Sequence, residues 1–233
     1  MAQESSGLGE QVLNRIAEAA ISSQLKQPAD VSVQIKTDLN KLAQGQLDSI
    51  AIAIHPLLMS SGIEAEEFHL QIGQVTVKPL QALLGKIKLV HPSEAVLRFV
   101  INEASLTAAL NTSFGRQAPR LQQPINCLLS DNAITLKIES VQTATAASQP
   151  VALVTIPEIA SGEREVVFQQ VRCVEGHEPA PEFTAVLLTQ MRELLSLRDF
   201  EQKGMVLKIQ RLSVTAGKLT LLAAARIERF PSS

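Results

Sequence analysis

Through QLDSIAIAIHPLL (residues 46–58) large apolar and small residues alternate strictly. Ile50, Ile52 and Ile54 point to one side, and Ser49, Ala51 and Ala53 to the other. A period of two marks a strand with one face against something apolar, and Pro56 marks its end. VSVQI (31–35) repeats the pattern with Val31, Val33 and Ile35. SGIEAEEFHLQIGQVTVKPL is a further extended run in which Phe68, Leu70 and Ile72 share a face; beyond Gly73 the apolar set moves to Val75 and Val77. That change of parity at a glycine predicts a bulge.

Helical periodicity occurs at both ends of this strand-rich stretch. Leu8, Val12, Ile16 and Ala20 recur every four positions, widened by Leu13, Ala17 and Ile21, which predicts an amphipathic helix over 8–25 closed by Pro28. A second helix is expected over 182–199, striped by Phe183, Val186, Leu187, Met191 and Leu194 and stopped by Gly204. Between them a shorter helix follows Asn102 or Ser105 as N-cap and ends near Gly115. Two strands precede that helix in GKIKLVHPSEAVLRFVIN (85–102), and others are expected around 125–139, 150–157 and 165–174. At the end of the chain, a two-residue loop at Ala216 and Gly217 sets Val214 opposite Leu219 and Leu212 opposite Leu221. Carried further, that register puts Lys208 and Gln210 on the same face as Ala225 and Ala223. Helix 8–25 and helix 182–199 are each followed by a pair of strands, an echo of pattern without a sequence repeat. The expected class is α+β, one domain over 1–233 with residues 1–7 as a leader. Its centre is a long, strongly curved antiparallel sheet wrapped around long amphipathic helices.

Composition narrows function mainly by exclusion. The 233 residues carry 21 basic and 23 acidic side chains, which argues against a strongly basic nucleic-acid binder. All seven aromatics are Phe, so stacking platforms for bases are not expected. Cys127 and Cys173 follow no metal or redox spacing, and His55, His69, His91 and His177 are scattered. No metal or other cofactor is expected. No nucleophile elbow or phosphate loop occurs, and Glu64, Glu66 and Glu67 read as the wet side of a strand rather than an acid/base couple. An enzyme is not expected. With no secretory pattern at MAQESSGLGE and no apolar run of about 18 residues, the expected place is the cytoplasm, peripheral to a membrane at most.

The run from Leu42 to Asn111 carries a further signal. It opens LAQGQLDSI, continues through SGIEAEEFHLQ and VKPLQALLGKIKL, and closes with a strand running into INEASLTAAL. In this order it resembles the LmeA-like phospholipid-binding proteins, and among them the signal-less cyanobacterial forms. Members of that family often read Thr-Glu-Ala-Asp-Leu-Asn where this chain has Asn102, Glu103, Ala104, Ser105, Leu106 and Thr107; Ser105 replaces the Asp and is still a capping residue. The resemblance covers residues 30–112 well, the leading helix loosely, and the second half only in its order of elements. It implies the architecture of tubular lipid-binding proteins, binding of anionic phospholipid, and a part in membrane homeostasis. It carries over no catalytic residue.

Taken together, these readings predict non-catalytic binding, and by extension transfer, of a phospholipid or glycolipid in an apolar groove between helix and sheet. The expected wall is Ile50, Ile52, Ile54, Phe68, Leu70 and Ile72 with Val186, Leu187, Met191 and Leu194. Arg116 and Arg120 are the candidate headgroup cations, among wider basic punctuation at Lys86, Lys88, Lys203, Lys208 and Arg211. Burying an acyl chain yields ~0.8 kcal/mol per CH₂, so affinity needs no special residue. The alternative is a protein-interaction module whose groove is filled by its own helices.

Overall fold

The computed structural model describes residues 2–78, 89–117, 124–142, 148–202 and 204–228. Helix α1 (Ala2–Gln24) comes first and takes in most of the segment expected as a leader. A meander follows: β1 (Asp30–Lys36), β3 (Ser49–His55), β6 (Glu67–Ile72) and β8 (Ser93–Asn102) pair in sequence order, all antiparallel. Short helix α2 (Leu39–Ala43), capped by the Asp38 carboxylate, and the two-residue strands β2 (Gln46–Leu47), β4 (Leu57–Leu58), β5 (Glu64–Ala65) and β7 (Val75–Thr76) decorate the turns. Helix α3 (Glu103–Gln117) then leads into a second meander, β9 (Ile125–Ser130), β10 (Ala133–Gln142), β11 (Ser148–Ile159) and β12 (Val166–Glu175). Helices α4 (Pro181–Leu194) and α5 (Arg198–Gln202) precede the hairpin β13 (Met205–Thr215) and β14 (Lys218–Ile227). That hairpin returns to the first meander and completes a six-stranded sheet in the order β1-β3-β6-β8-β14-β13.

The α+β class and the antiparallel pairing match the expectation, but the expected single, strongly curved sheet does not. The strands divide into a six-stranded and a four-stranded sheet, and no strongly curled sheet occurs among the described residues. The cause is local. After β8 the chain turns into α3, which lies along β9, so the second meander begins a new sheet.

The hairpin register holds near its turn, with Val214 opposite Leu219 and Leu212 opposite Leu221. Beyond that the expected register fails, because a bulge at Gln210 sets Ile209 opposite Ala223 and Leu207 opposite Ala225. The extra residue returns the apolar side chains to the inner face and moves Lys208 to the other one. At Gly73, the expected bulge is instead a strand end: β6 stops at Ile72, and β7 leaves the sheet to pair with β2. The 125–139 stretch is two strands, turned at Asp131 and Asn132 (φ 63°). Helix 182–199 is broken at Leu195 to Leu197 into α4 and α5, and α3 runs two residues past Gly115. Asn102 is the capping side chain of α3, its Oδ1 accepting the Ser105 N–H at 2.8 Å. The strand expected before His91 falls largely on residues outside those described.

The edges of the two sheets share one device. Alternate amides of β1 and the residue that follows it donate to a row of α1 side chains: Thr37 N–H to Glu10 (3.2 Å), Ile35 N–H to Asn14 (2.8 Å) and Val33 N–H to Glu18 (2.9 Å). On β9, Leu129 N–H donates to Glu103 (2.6 Å), Cys127 N–H to Thr107 (3.0 Å) and Ile125 N–H to Asn111 (2.9 Å). Both rows are spaced i, i+4, i+8. Four helical residues rise about 6 Å and two strand residues about 6.6 Å, so the donors and acceptors stay in step. Each helix thus takes the place of the next strand and closes an edge that would otherwise invite pairing. The internal echo therefore links α1 with α3, not 8–25 with 182–199.

Candidate functional site

On the inner face of the six-stranded sheet the register stacks Val31, Ile54, Phe68, Phe99 and Leu221 in one row and Val33, Ile52, Leu70, Leu97 and Ala223 in the next. A third row runs Ile35, Ile50, Ile72, Ala95 and Ala225. The whole strand half of the expected wall therefore lies on one face. Burial along it is uneven. Ile54, Phe68, Leu70 and Ile72 are buried in the main core, whereas Ile50 and Ile52, with Val31 and Ile35 beside them, are only half-buried. Phe200 of α5 stacks on Phe68 (ring centroids 6.1 Å apart) and meets Phe99 at 5.4 Å, covering the middle of the sheet. Ile21, Leu25, Val77 and Leu89, themselves half-buried, pack against the core. Ile50 and Ile52, level with Asn14 and Glu18 of α1, are thus the less deeply buried part of this apolar face.

The helix half of the wall sits elsewhere. α4 packs against α3 and β12, and Phe183 meets Phe114 edge-on at 5.8 Å. Leu187, Met191 and Leu194 are buried in that packing, while Val186 is 40 % exposed. Gln190, buried on the same helix, accepts a short hydrogen bond from the Ser113 hydroxyl of α3. Of the candidate headgroup cations, Arg116 lies in the last turn of α3 with its side chain outside the described residues, and Arg120 lies outside them altogether. Lys86, Lys88 and Lys203 are likewise outside, Lys208 pairs with Glu163 at 3.3 Å, and Arg211 is exposed.

The opposite face of the sheet holds a feature that the strand periodicity hides. Ala51 and Ala53 leave a low floor that Val96 and Leu222 extend, and Ser32, Gln34, His69, Gln71 and Arg98 rise around it. The open trough so formed measures about 440 Å³. Two alanines between larger neighbours were its sequence signal. Next to it the three glutamates are engaged separately. Glu66 accepts from Lys218 at 2.9 Å and Glu67 from Arg98 at 2.6 Å, while Glu64 accepts from Gln27 at 3.0 Å. The Lys218 ammonium holds the Glu66 carboxyl below its usual range, and the Arg98 guanidinium does the same for Glu67. Neither is a candidate proton donor near neutrality.

Cys127 lies under the α3 ladder, and burial pushes its thiol up to about 12 against the opposing hydrogen bond with Thr107. It is an inert core thiol rather than a nucleophile. No group of three metal-ligating side chains occurs among the described residues, and no described helix is long and apolar enough to cross a membrane.

No curated protein and no solved structure matches the chain. The family model described as LmeA-like phospholipid-binding, in contrast, matches residues 5–224, from the first turns of α1 into β14. Matched over nearly its whole length, this protein is a member of the LmeA-like phospholipid-binding family.

Proposed function

We propose that this protein is a non-catalytic phospholipid carrier in which an acyl chain lies on the inner face of the six-stranded sheet. The chain would enter at Ile50 and Ile52, level with Asn14 and Glu18 of α1. Ile54, Phe68, Leu70 and Ile72 continue that face inward, and Val186, Leu187, Met191 and Leu194 form the far wall once the interior parts to admit a chain. Arg116 and Arg120 are the proposed headgroup partners. The supporting observation is the half-burial of Ile50 and Ile52, with Val31 and Ile35 beside them, on a face whose remaining residues are buried. A half-buried aliphatic surface costs free energy in water, and an acyl chain removes that cost without any directional contact. Transfer between membranes follows if the bound lipid leaves by the same opening. On this reading the protein supports membrane homeostasis and acts at membrane surfaces from the cytoplasm.

A second reading has an observation of its own. Leu187, Met191 and Ile72 are sealed from solvent, as expected of a protein-interaction module whose interior is filled by its own side chains. Binding of dihexanoylphosphatidylglycerol to the wild type, Ile50→Glu and Ala53→Gln separates the possibilities. The proposed site predicts that Ile50→Glu folds and loses the lipid while Ala53→Gln, in the trough on the opposite face, retains it. Loss in Ala53→Gln alone would move the site to the trough. No binding by the wild type would favour the interaction module.

A further inference from the structure

We infer that α1 is a releasable strap: it lifts off β1 about the segment 25–29 while both sheets stay folded, and in lifting it opens the β1 side of the apolar face to lipid. The second step rests on the phospholipid-binding reading above. The inner-face rows begin at β1, where Val31 leads to Ile54 and Phe68, Val33 to Ile52 and Leu70, and Ile35 to Ile50 and Ile72. α1 stands where the next strand would, along the β1 end of these rows.

What holds α1 there is slight. No described side chain between residues 9 and 24 is buried, and the helix rests chiefly on β1. Ile21 packs against the main core only in part, while Val12 and Ile16 face water. The polar attachment is the row in which Glu10, Asn14 and Glu18 accept from the amides of Thr37, Ile35 and Val33. All three acceptors are half-buried, so on release each bond is exchanged for bonds to water and little is lost. α3 is the opposite case. It makes the same kind of row with β9 but also packs against α4, β5 and β8, and lifting it would bare Leu106, Leu110 and Phe114. An element with few buried apolar contacts opens locally, at a fraction of the global stability. The pivot lies between Gln24, where α1 ends, and Asp30, where β1 starts, with Pro28 barring continuation of the helix. Within it the Gln27 side chain donates to Glu64 at 3.0 Å, which ties the foot of the helix to β5 and lets α1 swing about a fixed point.

The test pairs native-state hydrogen exchange with the kinetics of uptake and release of a short-chain phosphatidylglycerol bearing a fluorescent tail. The proteins are the wild type, Asn14→Leu, Glu18→Leu, and Glu18→Gln, which keeps an acceptor. In the wild type the amides of Val33, Ile35 and Thr37 should exchange together with those of α1, roughly a hundredfold faster than those of Ile125, Cys127 and Leu129. Asn14→Leu and Glu18→Leu should each speed the first group about fivefold. They should speed lipid uptake and release by that same factor and leave the affinity as it was, while Glu18→Gln matches the wild type throughout. A wild type in which both groups of amides exchange at one common rate overturns the inference, because α1 is then part of the cooperative core. So do variants whose α1 opens faster while lipid uptake and release keep their wild-type rates; both results leave the binding reading intact. Faster release alone, with weaker binding, would make α1 part of the lipid contact and also overturn the inference. A wild type that takes up no lipid overturns the binding reading and the gating step with it, and hydrogen exchange still decides whether α1 is a strap.

Discussion

α1 and α3 perform the same task on two sheets and differ in everything else. Each offers an i, i+4, i+8 row of polar acceptors to the alternate amides of an edge strand. The other side of α3 is sunk in the core through Leu106, Ala109, Leu110 and Phe114, all buried. Among its described side chains α1 has no such anchor: the packing residues are half-buried, and Val12 and Ile16 face out. The edge ladder therefore accounts for where both helices lie, but only α3 is needed to complete a core. A helix held mainly along its polar row leaves Val12 and Ile16 facing water.

Substitutions break this comparison most severely on the α3 side. Leu110→Asp should abolish folding, because an unpaired charge would replace a sealed side chain, and Leu110→Ala should cost about 2–5 kcal/mol. Ile16→Asp should leave the urea midpoint within about 0.5 kcal/mol of wild type. A large loss there would mean that the outward row of α1 is a structural contact. The ladders come next. Asn111 both accepts from and donates to the Ile125 backbone, at 2.9 and 2.8 Å. Asn111→Leu leaves two main-chain groups without partners and should cost roughly 2–4 kcal/mol in urea unfolding. Asn14→Leu frees one amide at a wetter edge and should cost about 1 kcal/mol.

Cys127 reports on the α3 ladder directly. Its raised pKa and burial predict that iodoacetamide labels it at neutral pH only when α3 lifts, and Asn111→Leu should speed that labelling. Fast labelling in the wild type would show that α3 is no firmer than α1. The smallest effect is on acid stability. Glu66 and Glu67 have lowered folded-state pKa values, so their stabilisation is present above the unfolded carboxylate range and is lost as pH falls through the folded values. Lys218→Met should reduce stability slightly at neutral pH and shrink the difference between pH 6 and pH 3.

The strands of the first meander and the turn of the last hairpin were legible because period-two alternation is dense there. Ile50, Ile52 and Ile54 fall on the inner face together with Phe68, Leu70 and Ile72. Legibility failed where one residue changed parity. The bulge at Gln210 is invisible in composition, and at Gly73 a strand end and a bulge leave the same trace. The row through Val12, Ile16 and Ala20 was legible as a stripe but not as an outward one. The signal that would have corrected it, Glu10, Asn14 and Glu18, reads in isolation like any solvated helix face. Only the strand amides it meets make it the inner side. The trough over Ala51 and Ala53 was hidden because small residues opposite a strong apolar row look like mere spacers.

The central claim, a phospholipid held on the inner sheet face, is tested most directly by native mass spectrometry of freshly purified protein with solvent extraction of whatever it releases. The account predicts a phospholipid at near one per chain in the wild type and an Ile50→Glu variant that is folded and empty. A folded wild type that carries no lipid and takes up none from anionic vesicles would contradict it.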